Sequence, residues 1–221
     1  MSSKQHGDKR YHSIFNKARW ILFAGLAAII GLYPVLYFVV PGKFKLLNGK
    51  SAALLASIAW NTAFYTHIVL GGLALLIGWS QFHRQLRQQH TGLHRTIGKT
   101  YVLAALLSSL AGIYLGFYAM GGPIAAVGFI CLGLVWFTTT FTAWLYIRRG
   151  LTDQHEKMMI YSYAACFGAV TLRLWLPVLT MLYHDFMKAY VCVAWLSWVP
   201  NIMVAYFMVQ QKAVRNRSTT V

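Results

Sequence analysis

Six apolar runs, separated by short polar or basic loops, constrain this chain more than any other feature. They cover residues 20–40, 53–80, 98–120, 124–147, 158–183 and 189–211. At 1.5 Å of rise per residue, each run can cross a hydrocarbon core about 30 Å thick. Within lipid, backbone N–H and C=O groups have to be satisfied inside the segment itself, so such runs form helices. The expected fold is all-α: an integral membrane bundle of six transmembrane helices in one domain, 20–211, flanked by basic tails 1–19 and 212–221. Composition agrees, since 58% of the residues are apolar and 11% are charged. A soluble domain so poor in charge would expose far too much apolar surface.

The net charge of +16 would suggest nucleic acid in a soluble chain. Here the basic residues sit in tails and short loops, where they report orientation and contact with anionic lipid. Nucleic acid is therefore not an expected partner, and membrane lipid is. If the N-terminus lies in the cytoplasm, tails and inward loops hold fifteen of the twenty Lys and Arg, and outward loops hold four. The dissenting loop is the one with Lys43, Lys45 and Lys50. The bias places both termini in the cytoplasm. The first run, at about 20 residues, suits an uncleaved span better than a signal peptide. Cys131, Cys166 and Cys192 all fall inside apolar runs without paired spacing, and read as small buried residues.

The twentieth basic residue is Arg173, inside the fifth run. A guanidinium in a bilayer is costly and calls for a partner. The chain has four acidic residues, Asp8, Asp153, Glu156 and Asp185, and none lies inside an apolar run. The partners left are carbonyls, a tyrosine, water, Asn201, neutral His67, or a bound ligand. From the inner ends of their runs, His67, Arg173 and Asn201 lie at depths of about 21, 24 and 16 Å. Each shares a helical face with small residues: His67 with Gly71, Ala74 and Gly78; Arg173 with Ser162, Cys166 and Ala169; Asn201 with Ala194, Ser197 and Ala205. All three are expected to point into the bundle. Asn61 is a further polar residue within a run. Pro177 and Pro200 deprive the carbonyls of Arg173 and Leu196 of their helical donors.

A faint internal repeat sets "LHRTIGKTYVLAALLSSLAG" against "QHEKMMIYSYAACFGAVTLR". It places His94 and His155 alike, each in the first turn of its helix. Thr91 is the expected cap of one helix, and Asp153 with Glu156 forms a capping-box pattern for the other. His83 and His90 lie at the same boundary. Two imidazoles can bind a metal ion or supply both axial ligands of haem b, so His94 and His155 are candidate cofactor or metal ligands. Alternatively they are solvated histidines beside lipid headgroups. Ala104, Ser108, Gly112 and Gly116 form a small-residue stripe suited to close helix approach.

The pieces "HIVLGGLALLIGWSQF", "LHRTIGKTY", "DQHEKMM", "AVTLRLWLP" and "WVPN" resemble the bacterial membrane proteins of domain-of-unknown-function family 2306. This resemblance covers about two thirds of the chain. It implies a bacterial cytoplasmic (inner) membrane location and no particular activity. The family usually reads His-Arg where this chain has His155-Glu156, and often carries a glutamate where Tyr206 stands. By loose analogy of architecture, the pattern also resembles small cytochrome b-type bundles.

Three functions follow as expectations. The first is a redox-associated protein holding haem b or a quinone at His67, Arg173 and Asn201, with His94 and His155 as inner-face ligands. The second is a small-anion transporter using Arg173. The third is a non-catalytic accessory subunit that contacts other membrane subunits or forms a homo-oligomer. No nucleophile–base–acid set marks a hydrolase.

Overall fold

A computed structural model of the chain describes the backbone of residues 2–40, 47 and 49–218, and their side chains except those of 2–16, 84 and 215–218. Lys43, Lys45 and the tail residues 219–221 lie outside the described residues. The described chain is helical, with no strand, and six of its helical stretches are long and apolar enough to cross a membrane. They span Lys17–Val39, Ile58–Phe82, Thr91–Gly116, Gly122–Arg148, Thr152–Tyr183 and Phe186–Val214. Both expected tails are partly helical, because α1 covers Ser2–Leu32 and the last helix reaches Ser218.

Proline and serine punctuate the first third of the chain. Pro34 ends α1, and the chain tightens into a 3₁₀ turn at Tyr33–Val35 before the short α2, Leu36–Val39. Val40, which precedes Pro41, is extended at φ −90° and ψ 118°, as the residue before a proline should be. The second span then begins twice. Ser51 caps α3 (Ala52–Ala56) and Ser57 caps α4 (Ile58–Gly78), each hydroxyl accepting a backbone N–H at 3.3 Å. Asn61 stitches this break, donating from Nδ2 to the carbonyls of Leu55 (2.7 Å) and Ser57 (3.0 Å). Its polarity is thus absorbed locally.

A 3₁₀ turn (Trp79–Phe82) and the short α5 (Arg84–Gln89) lead to α6, Thr91–Gly116. This helix starts seven residues before its apolar run, because hydropathy marks the membrane boundary and not the helix end. Gly121 and Gly122, both with positive φ, make the tight turn into α7 (Gly122–Arg148). That backbone region is open to glycine at little cost. The fifth span divides into α8 (Thr152–Cys166) and α9 (Gly168–Tyr183), and the sixth into α10 (Phe186–Leu196) and α11 (Val199–Ser218). The break before α11 falls where Pro200 withdraws a helical hydrogen bond.

Helices α4, α6, α7 and α8 pack in sequence order, and α8 returns to α4. Helix α1 crosses α4 at Gly31 and Gly72. A Cβ on either glycine would fall within 3 Å of the other's carbonyl oxygen (2.9 and 2.6 Å), so the two backbones touch. Apolar side chains such as Ile21, Ile29, Leu103, Phe207 and Met181 remain exposed along the outside, as lipid contact requires.

Candidate functional site

Polar side chains gather at three places in the bundle. The first is the His67 level. The imidazole Nδ1 lies 2.9 Å from the carbonyl oxygen of Ser108, and the Ser108 hydroxyl donates to the His67 carbonyl at 2.9 Å. A carbonyl only accepts, so Nδ1 carries the proton and Nε2 keeps its lone pair. A Cβ on Gly112 would stand 3.0 Å from Cε1 and Nδ1 of the ring. The small-residue stripe of α6 therefore shapes and anchors a histidine socket, beyond letting helices approach. Ser108 was not among the expected site residues. Its membership of the stripe made it look purely steric.

Arg173 reaches this level from α9. Its Nη1 donates to the carbonyl of Ala169 at 2.9 Å, and its guanidinium carbon lies 4.5 Å from the centre of the Tyr33 ring. The charge acts electrostatically on His67 and on Tyr37. A carbonyl and an aromatic face thus take the place of the missing carboxylate. An aromatic run continues from there: Tyr33 to Tyr37, Tyr37 to Phe64 and Phe64 to Trp60, with centroids 6.1, 5.5 and 5.1 Å apart. Trp60 is buried, and its indole N–H has no hydrogen-bond partner among the described residues.

Asn201 does not join them. Its Nδ2 donates to the carbonyls of Ser197 (3.0 Å) and Ala164 (3.3 Å) and to the hydroxyl of Thr171 (3.1 Å). Thr171 also donates to the Ser197 carbonyl. Asn201 points inward as expected, but ties the broken ends of the fifth and sixth spans together and makes no hydrogen bond to His67 or Arg173.

The second place is a fully buried ring of hydrogen bonds in the core. Trp136 Nε1 donates to the Tyr101 hydroxyl (3.5 Å), which donates to Ser162 (2.8 Å). Ser162 donates to Thr140 (2.7 Å), and Thr140 donates to the Trp136 carbonyl (2.7 Å). The directions follow backwards from that carbonyl, which can only accept. Nearby, Tyr163 donates to the Leu75 carbonyl at 3.0 Å. This ring joins α6, α7 and α8.

The third place is the basic end of the bundle. His94 and His155 each occupy the fourth residue of their helix, so the repeat does place them alike. They are close enough to interact electrostatically. Their environments differ. His155 Nδ1 donates to the carbonyl of Ala143 at 2.9 Å, whereas His94 Nδ1 is buried without a partner among the described residues. The expected caps are absent. Helix α6 has His90 at its N-cap and α8 has Leu151, and no side chain caps either. Thr91 instead donates to the carbonyl of Arg87. Glu156 is drawn away from a capping box by two cations, Arg87 at 3.3 Å and Lys212 closer still. Among the described residues, no group of three or more His, Cys, Asp or Glu is placed to hold a metal ion. The three cysteines are free; Cys166 is buried as the sequence suggests, whereas Cys131 and Cys192 are only partly buried.

No curated protein and no solved structure matches the chain. A profile of a family described as predicted membrane proteins matches residues 64–209, from the aromatic run beside Arg173 to the last span. That match covers well over half of the chain and takes in both histidine levels, so this multi-pass membrane protein belongs to domain-of-unknown-function family 2306.

Proposed function

We propose that the His67 level binds the head group of a quinone, and that the protein is redox-associated. The observation that carries this reading is the fixed tautomer of His67. With Nδ1–H committed to the Ser108 carbonyl, Nε2 is left as a proton acceptor inside the bundle. Arg173 brings positive charge to the same level without a carboxylate to consume it. The aromatic run from Tyr33 to Trp60 supplies flat apolar faces, and the Trp60 indole N–H is an unused donor. These are the complements of a planar ring with carbonyl oxygens. Of the two cofactors expected, quinone suits this level better than haem b, since among the described residues no second imidazole lies beside His67.

The test is organic extraction and mass analysis of purified protein, with a visible spectrum of the oxidised and reduced forms. Wild type is expected to carry quinone and to show no Soret band. Arg173→Lys keeps the charge but loses the planar fork, and should lose most of the quinone. Equal quinone content in wild type, Arg173→Lys and Arg173→Gln would leave Arg173 a structural residue and defeat the reading.

We place both termini in the cytoplasm from the fifteen-to-four bias of Lys and Arg. Labelling of a cysteine at position 17 by a membrane-impermeant reagent added outside intact cells would reverse that topology.

A further inference from the structure

At the end of the bundle opposite the basic end, the start of α7, the end of α9 and the first turns of α10 border an open groove of about 710 Å³. Lys188, Val191, Cys192 and Trp195 of α10 line it, and their offsets of three, four and seven put them on one helical face. Ile124 of α7 and Tyr183 of α9 form its sides. The walls are tied to one another. Trp195 Nε1 donates to the Ile124 carbonyl at 3.1 Å, and the Tyr183 hydroxyl lies 3.9 Å from Cys192 Sγ. A Cβ on Gly128 would stand 3.0 Å from both the Ala194 carbonyl oxygen and Trp195 Nε1, so α7 and α10 meet closely beside the indole. Ile124, Tyr183 and Trp195 nevertheless stay exposed.

The groove is charged only at its mouth. From Lys188 to Trp195 it runs about 10 Å along α10, with charge at the boundary and mainly apolar side chains below. Asp185 Oδ1 is spent on the backbone N–H groups of Met187 and Lys188. Its Oδ2 lies 3.7 Å from Lys188 Nζ, well beyond the length of a charge-assisted hydrogen bond, about 2.7–2.9 Å. A carboxylate oxygen and an ammonium group therefore stand side by side, each with hydrogen-bonding capacity to spare.

An occupant that meets both charges carries an anion and a cation of its own above an apolar body. That is the build of a zwitterionic phospholipid, at the depth where a bilayer places its headgroups. A primary ammonium donates N–H to Oδ2 and a quaternary one cannot, which selects ethanolamine over choline. The volume is that of a small-molecule site, about 300–1,000 Å³, so the groove takes the headgroup, the glycerol and the top of a chain, and the bilayer takes the rest. We propose that it holds one phosphatidylethanolamine molecule, with the phosphate on Lys188, the ammonium on Asp185 and an acyl chain along Val191 and Trp195. The site is independent of the quinone reading, because it shares no residue with the His67 level.

The test is a titration of the full-length protein in detergent with phosphatidylethanolamine, phosphatidylcholine and phosphatidylglycerol of identical chains, read by native mass spectrometry. Wild type should retain one phosphatidylethanolamine saturably, with a Kd about fivefold below that for phosphatidylcholine, as one partly exposed charge contact allows. A net charge of +16 draws anionic lipid to the whole surface, so phosphatidylglycerol should add in several copies without saturating one site.

Lys188→Gln should weaken phosphatidylethanolamine and phosphatidylcholine alike, by about fivefold. Asp185→Asn keeps an acceptor at the cap and should erase the preference for ethanolamine, with phosphatidylcholine bound at least as tightly as before. Met187→Trp fills the groove from an exposed position on its lining and should block retention. Arg95→Gln removes an equal charge at the basic end and should bind as wild type does. Equal affinity of wild type for phosphatidylethanolamine and phosphatidylcholine would overturn the site. So would full retention in Met187→Trp, or a loss in Arg95→Gln as large as in Lys188→Gln. A dimer that forms without lipid and disappears in Met187→Trp would overturn it in favour of an interface between copies of the chain.

Discussion

The His67 level and the basic end each present histidine, arginine and a glycine-lined wall, yet they are built in opposite ways. At the His67 level the imidazole is seated first: Ser108 fixes its tautomer and Gly112 gives up a side chain to receive the ring. At the basic end the paired groups are the charged ones, Glu156 with Arg87 and Lys212, while His94 and Gln81 stay unsatisfied. The difference teaches where each region draws its order. Deep in lipid no water is present, so a polar group has to be satisfied by protein or by an apolar ligand with polar ends. At the boundary, water and headgroups are available, so charged side chains can pair there while still partly solvated.

The sharpest way to break this contrast is to add the same methyl group at both levels. In Gly112→Ala the new Cβ lies 3.0 Å from a ring that Ser108 holds in place. The expected cost is about 1–3 kcal/mol of stability, as for overpacked cores. In Gly92→Ala, at the start of α6, nothing lies within 4 Å. There the helix should be unaffected or gain up to about 1 kcal/mol. Thermal unfolding of the two variants in one detergent measures both. If Gly112→Ala is as stable as Gly92→Ala, the His67 ring is free to move and the level is not rigid.

A second test addresses the buried ring that lies between the two levels. Ser162→Ala leaves Tyr101 without its acceptor and Thr140 without its donor, at a cost of about 1–3 kcal/mol. Adding Thr140→Val and Tyr101→Phe removes the stranded groups as well. The triple variant should recover part of the loss, a non-additivity that a double-mutant-style cycle detects. Strict additivity would mean that the hydroxyls act separately and the ring is no unit.

The spans were legible because the length of an apolar run is a one-dimensional quantity. The breaks within them were legible only in part. Pro34 and Pro200 mark two, but Ser57 and Phe167 do not look different from other small or apolar residues in a span. The inward facing of His67, Arg173 and Asn201 could be read from helical periodicity, and their mutual distances could not. Asn201 turned toward Thr171 and Ser197, since a break in the neighbouring helix offered nearer carbonyls. The capping box at Asp153 and Glu156 failed for a tertiary reason: Lys212, over fifty residues away, competes for the carboxylate. Tyr101, Thr140 and Ser162 are lone hydroxyls on three apolar helices, and no spacing in the sequence joins them.

A smaller effect is expected from the ion pairs that order the basic end. Glu156→Gln removes both bridges, from Arg87 and from Lys212. The side chains are partly exposed, so the loss should be about 0–1 kcal/mol. It should also shrink as ionic strength rises and the Debye length shortens. A comparison of unfolding midpoints at low and high salt measures it. A loss well above that of Ser162→Ala would show that the basic end is ordered by charge as firmly as the core is by hydroxyls.

The smallest effect lies at the opposite end of the bundle, where the last two spans meet. His184 adopts a left-handed conformation with φ 50°, and Asp185 then caps α10, accepting from the backbone N–H groups of Met187 (2.8 Å) and Lys188 (3.1 Å). The Lys188 amide, then that of Met187 and the Lys188 charge, hold the Asp185 carboxyl below its usual range. A carboxylate whose folded pKa is depressed stabilises the fold above its unfolded pKa, near about 3.9. That contribution fades as pH falls from there through the lower folded value. Asp185→Asn keeps an acceptor at the cap but cannot titrate. At pH 7 the ionised wild type should therefore be slightly the more stable. Below about pH 4 the two unfolding curves should converge as the wild-type carboxyl takes up its proton. Because Asp185 is partly exposed, solvent and salt will keep this difference small. A gap between the two proteins that stays constant from pH 7 to pH 3 would show that the cap works by geometry alone.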